Sequence, residues 1–112
     1  MVEIVIKRPA PVAKADPFLL QKVKHEVDLY AAGALDGICY SILDDEQQRY
    51  TAVFVPDDRR EYADTIVMAR VDGDKIIIEH DSTDKPLVDA LMINAGIPRE
   101  QIILAYQGES AR

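Results

Sequence analysis

Between Gly37 and His80 the side chains follow a period of two, and this stretch constrains the fold more than any other part of the chain. The segments GICYSIL (37–43), RYTAVFV (49–55), YADTIVMARV (62–71) and KIIIEH (75–80) are rich in β-branched and aromatic residues, which suit a pleated, half-buried surface. Between them lie DDEQQ, PDDRR and DGD, short polar runs of turn-forming residues. Connections this short join antiparallel neighbours, because a parallel pair needs a crossover of a dozen or more residues. Four consecutive strands in an antiparallel meander follow. Asp72-Gly73 is the strongest hairpin signal of the three, since glycine accepts the positive φ of a tight turn.

A meander with an apolar face needs a cover, and the flanking sequence supplies two amphipathic helices. Asp16 before Pro17 has the form of an N-cap followed by proline at the first helical position. Leu20, Val23, Val27, Tyr30 and Ala31 recur at three- and four-residue steps, with Gln21, Lys22, Lys24, His25, Glu26 and Asp28 assigned to the polar side and Gly33 as the stop. After His80, Leu87, Val88, Leu91, Met92 and Ala95 share one face of a second helix that ends at Asn94-Ala95-Gly96. PREQ then forms one turn, IILAY (102–106) a short buried strand, and QGESAR a frayed tail. At the start, VEIVIK (2–7) reads as a further strand closed off by Pro9 and Pro11.

The expected architecture is α+β, in the order β-α-β-β-β-β-α-β, with an antiparallel meander packed against two helices in a single domain over residues 1–112. Tyr40, Ile42, Phe54, Ile66, Met68, Ile76 and Ile78 are expected on the buried sheet face, opposite Leu20, Val23, Val27, Leu91 and Met92. The KIIIEH strand, apolar on both faces, is expected to be central. A composition of 48% hydrophobic and 29% charged residues is that of a folding globular protein.

Charge narrows the function. With 13 Lys and Arg against 20 Asp and Glu, the net charge of −7 opposes a phosphate backbone, whose neutralisation by cations dominates nucleic-acid affinity. The chain alone is not expected to bind DNA, and Lys7-Arg8 and Arg59-Arg60 read as turn residues. No apolar run reaches the roughly 18 residues of a membrane span, and MVEIVIKRPAP has no signal-peptide form, so a cytoplasmic location is expected. Cys39, the only cysteine, permits no internal disulfide and reads as a buried thiol.

Glu79, His80, Asp81, Ser82, Thr83 and Asp84 form the densest polar row in the chain. Consecutive strand residues point to opposite faces, so His80, Asp81 and Ser82 make a poor triad. A helix start leaves four backbone N–H groups without partners, and Asp81, Ser82, Thr83 and Asp84 offer acceptors there, with the cap at Thr83, Asp84 or Lys85. The acidic turns at Asp44-Asp45-Glu46 and Asp57-Asp58 lack the spacing of a calcium loop. Solvent exposure is the expectation for His25. No catalytic residue, metal ligand or cofactor site is assigned.

Five motifs occur together in DDEQQRY (44–50), DRREY (58–62), DGDKIII (72–78), DST (81–83) and GIPREQIILAY (96–106). In order and spacing they resemble the XisI-like family, the fdxN element excision controlling factor, over about the last two thirds of the chain. The sequence departs from that family's pattern in its leading VEIVIK, in Val55-Pro56 where a Gly-Trp step is usual, and in lacking a closing P-x-x-R-x-Y-T segment. The resemblance implies a non-enzymatic controlling protein in the excision of a DNA element, with a XisH-like, nuclease-fold protein as partner. It implies no catalytic residues. Pairing through a sheet edge, to a second copy or to a partner, is a further expectation. The rival readings are a small hydrolase or nuclease using His80 and Asp81, with or without Glu79, and a divalent metal, and an antitoxin-like or ligand-sensing module.

Overall fold

Residues 12–110 are described by the structure, a computed structural model; the VEIVIK segment expected as a strand lies outside the described residues. Helix α1 runs Pro17–Asp28, followed by β1 (Ala32–Ala34), β2 (Gly37–Asp44), β3 (Arg49–Pro56), β4 (Asp64–Asp72), β5 (Lys75–Asp81), α2 (Leu87–Ile93) and β6 (Ile102–Leu104). The strands form one six-stranded sheet in sequence order. All neighbouring pairs are antiparallel except β5 and β6, which are parallel. The long strand connection from β5 through α2 is what permits that parallel pairing, and it leaves β5 internal, as expected.

Local chemistry sets the element ends. The carboxylate of Asp16 accepts from Phe18 N at 2.7 Å, with Pro17 in the first turn. Gly73, at φ +61, makes the β4–β5 hairpin. Helix α1 stops earlier than the sequence suggests, at Asp28 with Leu29 as C-cap. Gly33 and the alanines around it instead form β1, pairing with Gly37–Cys39. The expected strand 102–106 is cut to Ile102–Leu104, and Ala105–Gln107 turns into a short 3-10 helix. Nor is the tail frayed at Glu109: its Oε1 accepts from Leu104 N at 2.9 Å and its Oε2 pairs with Arg99 at 2.6 Å.

Both helices pack on one sheet face. Val23 and Val27 of α1 and Leu87 and Leu91 of α2 meet Tyr50, Ala52, Val67, Ala69, Val71, Ile76 and Ile78 in a single core. Opposed residues of an antiparallel pair point to the same side, so the rows Leu43–Tyr50–Ala69 and Ser41–Ala52–Val67 face the helices. Two register shifts interrupt the alternation. Ala52 pairs with Val67 but Val53 with Thr65, leaving Ile66 extra; Ala69 pairs with Ile78 but Met68 with His80, leaving Glu79 extra. Such bulges re-aim the side chains beyond them.

The expected inward set is therefore partly reversed. Ile76 and Ile78 are buried, but Tyr40, Ile42 and Met68 lie on the opposite face, while Phe54 and Ile66 are only partly buried. Met92 is partly exposed rather than in the core. Cys39 is half-buried.

A polar strut crosses from helix to hairpin. Lys24 Nζ donates to Asp45 Oδ2 at 2.7 Å, and the Tyr50 hydroxyl donates to Asp45 Oδ1 at 3.0 Å. The bond from Lys24, then that from Tyr50, holds the Asp45 carboxyl below the usual range. Burial, then the bond to Asp45, pushes the Tyr50 phenol up. A carboxyl depressed in the folded state stabilises it above the unfolded value, and that contribution disappears as pH falls below about 4. Asp45→Asn should therefore be less stable than the parent near neutrality, with the gap closing as pH drops. Urea unfolding at stepped pH reads this directly, and a gap that stays constant would show that the strut does not carry it.

Candidate functional site

The polar row after β5 resolves into a strap that fastens a helix. Because Glu79 is the extra residue of the second bulge, Asp81 comes to lie opposite Val67, on the helix side of the sheet. There its Oδ2 accepts from Leu87 N, the first residue of α2, at 2.7 Å. Its Oδ1 accepts from Thr83 N at 2.9 Å and from the Thr83 hydroxyl at 2.6 Å. The hydroxyl of Tyr30, in the turn just after α1, donates to the carbonyl of Lys85 and closes the strap from the other side; burial is the first cause of its phenol being pushed up.

The capping role expected of this row thus rests on one carboxylate. The N-cap position is Pro86, with no side-chain cap of its own, rather than Thr83, Asp84 or Lys85. Proline has no N–H and sits readily where the helix begins, so the acceptor for Leu87 N is Asp81, six residues before Leu87. Ser82 turns back to the sheet, its N–H donating to the Ile66 carbonyl at 2.9 Å. Asp84 is exposed and makes no side-chain hydrogen bond among the described residues.

The catalytic alternative needs His80 and Asp81, with or without Glu79, to converge, and the three point apart. Glu79 pairs with Arg70 at 2.7 Å, His80 is exposed, and Asp81 is turned beneath α2. His25 is exposed on α1. Among the described residues, no group of three or more His, Cys, Asp or Glu side chains could hold a metal ion. No helix among them is long and apolar enough to cross a membrane.

What the molecule offers instead is surface. The sheet face turned away from the helices carries Ile38, Tyr40 and Ile42 at 43%, 51% and 58% exposure, beside Val55, Val53 and the Thr51–Met68 row of the neighbouring strands. A contiguous apolar patch of this kind marks an interaction site more often than isolated exposed residues do. β1 pairs with β2 only through Cys39, so among the described residues the outer edge of β2 from Tyr40 to Asp44 has no strand neighbour.

Where α1 and α2 meet lies an open groove of about 480 Å³ walled by Leu29, Tyr30, Pro86 and Ile93. Glu26 lines it and is 3% exposed, in contrast to the polar side of α1 that its charge suggests. The signal was present: Glu26 stands three residues after Val23 and four before Tyr30, within the buried stripe. Its charge concealed it.

Comparison with known proteins agrees with the fold and its motifs. The crystal structure of a XisI-like protein from Anabaena variabilis is 24% identical, covers 80% of this chain and 85% of its own, and superposes with a TM-score of 0.69. A second, of the fdxN element excision controlling factor XisI from the same organism, is 26% identical over 81% and 87% with a TM-score of 0.58. Among curated proteins none matches. The XisI protein family matches residues 19–112, extending the likeness carried by the hairpin, strap and Gly-Ile-Pro motifs back into helix α1, and the chain belongs to the XisI family.

Proposed function

We propose that this chain is a non-enzymatic controlling protein that acts in the excision of a DNA element by binding a protein partner, one of the XisH-like, nuclease-fold kind, in the cytoplasm. The observation that carries the reading is the uncovered sheet face bearing Ile38, Tyr40 and Ile42. Covering it would remove large apolar side chains from water, each worth about 1.5–3 kcal/mol when fully buried. A similar crystal structure is that of an excision controlling factor, and the net charge of −7 disfavours a direct grip on DNA. The edge of β2 from Tyr40 to Asp44, without a strand neighbour among the described residues, gives the same face a route to strand pairing, with the partner or with a second copy.

Coexpression with a XisH-like protein tests this. Co-elution at micromolar concentration is expected, and Tyr40→Asp combined with Ile42→Asp should weaken it about thirtyfold or more, the loss of about 2 kcal/mol that marks an interface hot spot. Those side chains point away from the core, so the melting temperature should hold. Failure of the parent proteins to associate would sink the reading. Self-association of this chain alone, abolished by the same pair of substitutions, would assign the face to a homodimer instead.

A further inference from the structure

Two buried polar atoms, one on Glu26 and one on Arg49, lack a hydrogen-bond partner among the described residues; of these, the carboxylate of Glu26 lines a groove. Glu26 Oε2 has no hydrogen-bond partner among the described residues, although the residue is 3% exposed. Holding an unpaired carboxylate out of water is costly, and such groups in folded proteins are paired or bound to ligands. Glu26 lines the groove between α1 and α2. Above it Leu29 and Ile93 stand at 62% and 81% exposure. Asp84 and Asp89 add two more carboxylates to the lining, against the single cation Lys85.

We propose that this groove is a docking site for a protein segment that carries one arginine or lysine between apolar residues. The cation would meet the Glu26 carboxylate at the groove wall, and a turn of the carboxyl group about its terminal bond would bring Oε2 its donor, while the flanking side chains cover Leu29 and Ile93. Charge complementarity selects this occupant. An acidic segment would meet three carboxylates, and a wholly apolar one would seal Glu26 further from water without pairing it. The groove is on the helix side, away from Tyr40 and Ile42, so this site stands independently of the docking face proposed above.

The test uses the full chain and short synthetic peptides with one arginine or lysine set between leucine and isoleucine, each paired with a copy that has norleucine at the cation. Binding is read by fluorescence anisotropy, and the site by amide chemical shifts. The cationic peptides are expected to bind about tenfold more tightly than their norleucine copies, with shifts around Glu26, Leu29 and Ile93. Glu26→Gln, nearly isosteric and uncharged, should erase that preference without lowering the melting temperature. Asp89→Asn, on the exposed rim, should reduce it by a smaller factor. The Tyr40→Asp, Ile42→Asp variant should bind the peptides as the parent does. Equal binding of the paired peptides, no binding of either, shifts confined to the Tyr40 face, or an unchanged preference in Glu26→Gln would each overturn the proposal.

Discussion

Gln48→Ala is expected to lower the stability of the fold by about 3 kcal/mol and the melting temperature by about 10–20 °C. Gln48 lies at the end of the β2–β3 turn, 6% exposed, at φ +55. Its side-chain amide is fully engaged. Nε2 donates to the carbonyls of Ala13 at 3.0 Å and Val71 at 2.8 Å, and Oε1 accepts from Ala15 N at 3.2 Å. Its own carbonyl accepts from Val71 N at 2.9 Å. One side chain therefore joins the segment leading into α1, the β2–β3 turn and strand β4. Truncation would take this partner from the Ala15 N–H and the Val71 carbonyl, both on buried residues, each costing about 1–3 kcal/mol where water cannot replace the lost bond, while the Ala13 carbonyl keeps its bond from Gly73 N.

The backbone contributes separately, and a second variant divides the two effects. A non-glycine residue in the left-handed region costs about 1 kcal/mol that glycine does not. Gln48→Gly should thus be about 1 kcal/mol less damaging than Gln48→Ala, although both remove the amide. Urea unfolding of the two variants measures the difference. A loss below about 1 kcal/mol in Gln48→Ala would show that water replaces the amide.

Gln48 also shows where sequence reading stops. The run DDEQQ has the composition of a solvated turn, and nothing in it distinguishes the glutamine that turns inward from the one beside it. Partners far away in the chain make that choice. The meander itself was legible, because period-two runs divided by short polar turns leave few other arrangements. Register within it was not. β2 carries apolar side chains on both faces, and the larger set, Ile38, Tyr40 and Ile42, lies outside, while Cys39, Ser41 and Leu43 face the helices. In β4 the smaller Val67, Ala69 and Val71 are buried in preference to Met68, since two helices packed on one sheet leave little room above its middle strands. The bulges at Ile66 and Glu79 carry no glycine to announce them. The motifs that mark the family, by contrast, are turn and cap residues whose local geometry leaves few substitutes, which is why they can be recognised without knowing which way the strands face.

Asp81→Ala is expected to destabilise the protein by about 2–3 kcal/mol, whereas Asp84→Ala, three residues along the same polar row, should change it by less than about 0.5 kcal/mol. The contrast follows from the bulge. Without the extra Glu79, the alternation of β5 would turn Asp81 outward, and α2 would begin at Pro86 with no side chain to receive its first amide. With the bulge, both oxygens of one carboxylate are committed, Oδ2 to Leu87 N and Oδ1 to Thr83. Bonds from neutral donors to a charged acceptor are worth about 1.5–3 kcal/mol, and negative charge at a helix start is further favoured by the helix dipole. Thr83→Ala removes only the hydroxyl part of the strap and should fall between the two. A further consequence separates structure from chemistry. If the row serves to hold α2, then Asp81→Ala protein kept below its lowered melting temperature should still associate with a XisH-like partner through the sheet face, because Tyr40 and Ile42 lie on the other side of the sheet. Loss of that association in a variant still folded by circular dichroism would return the polar row to the functional surface.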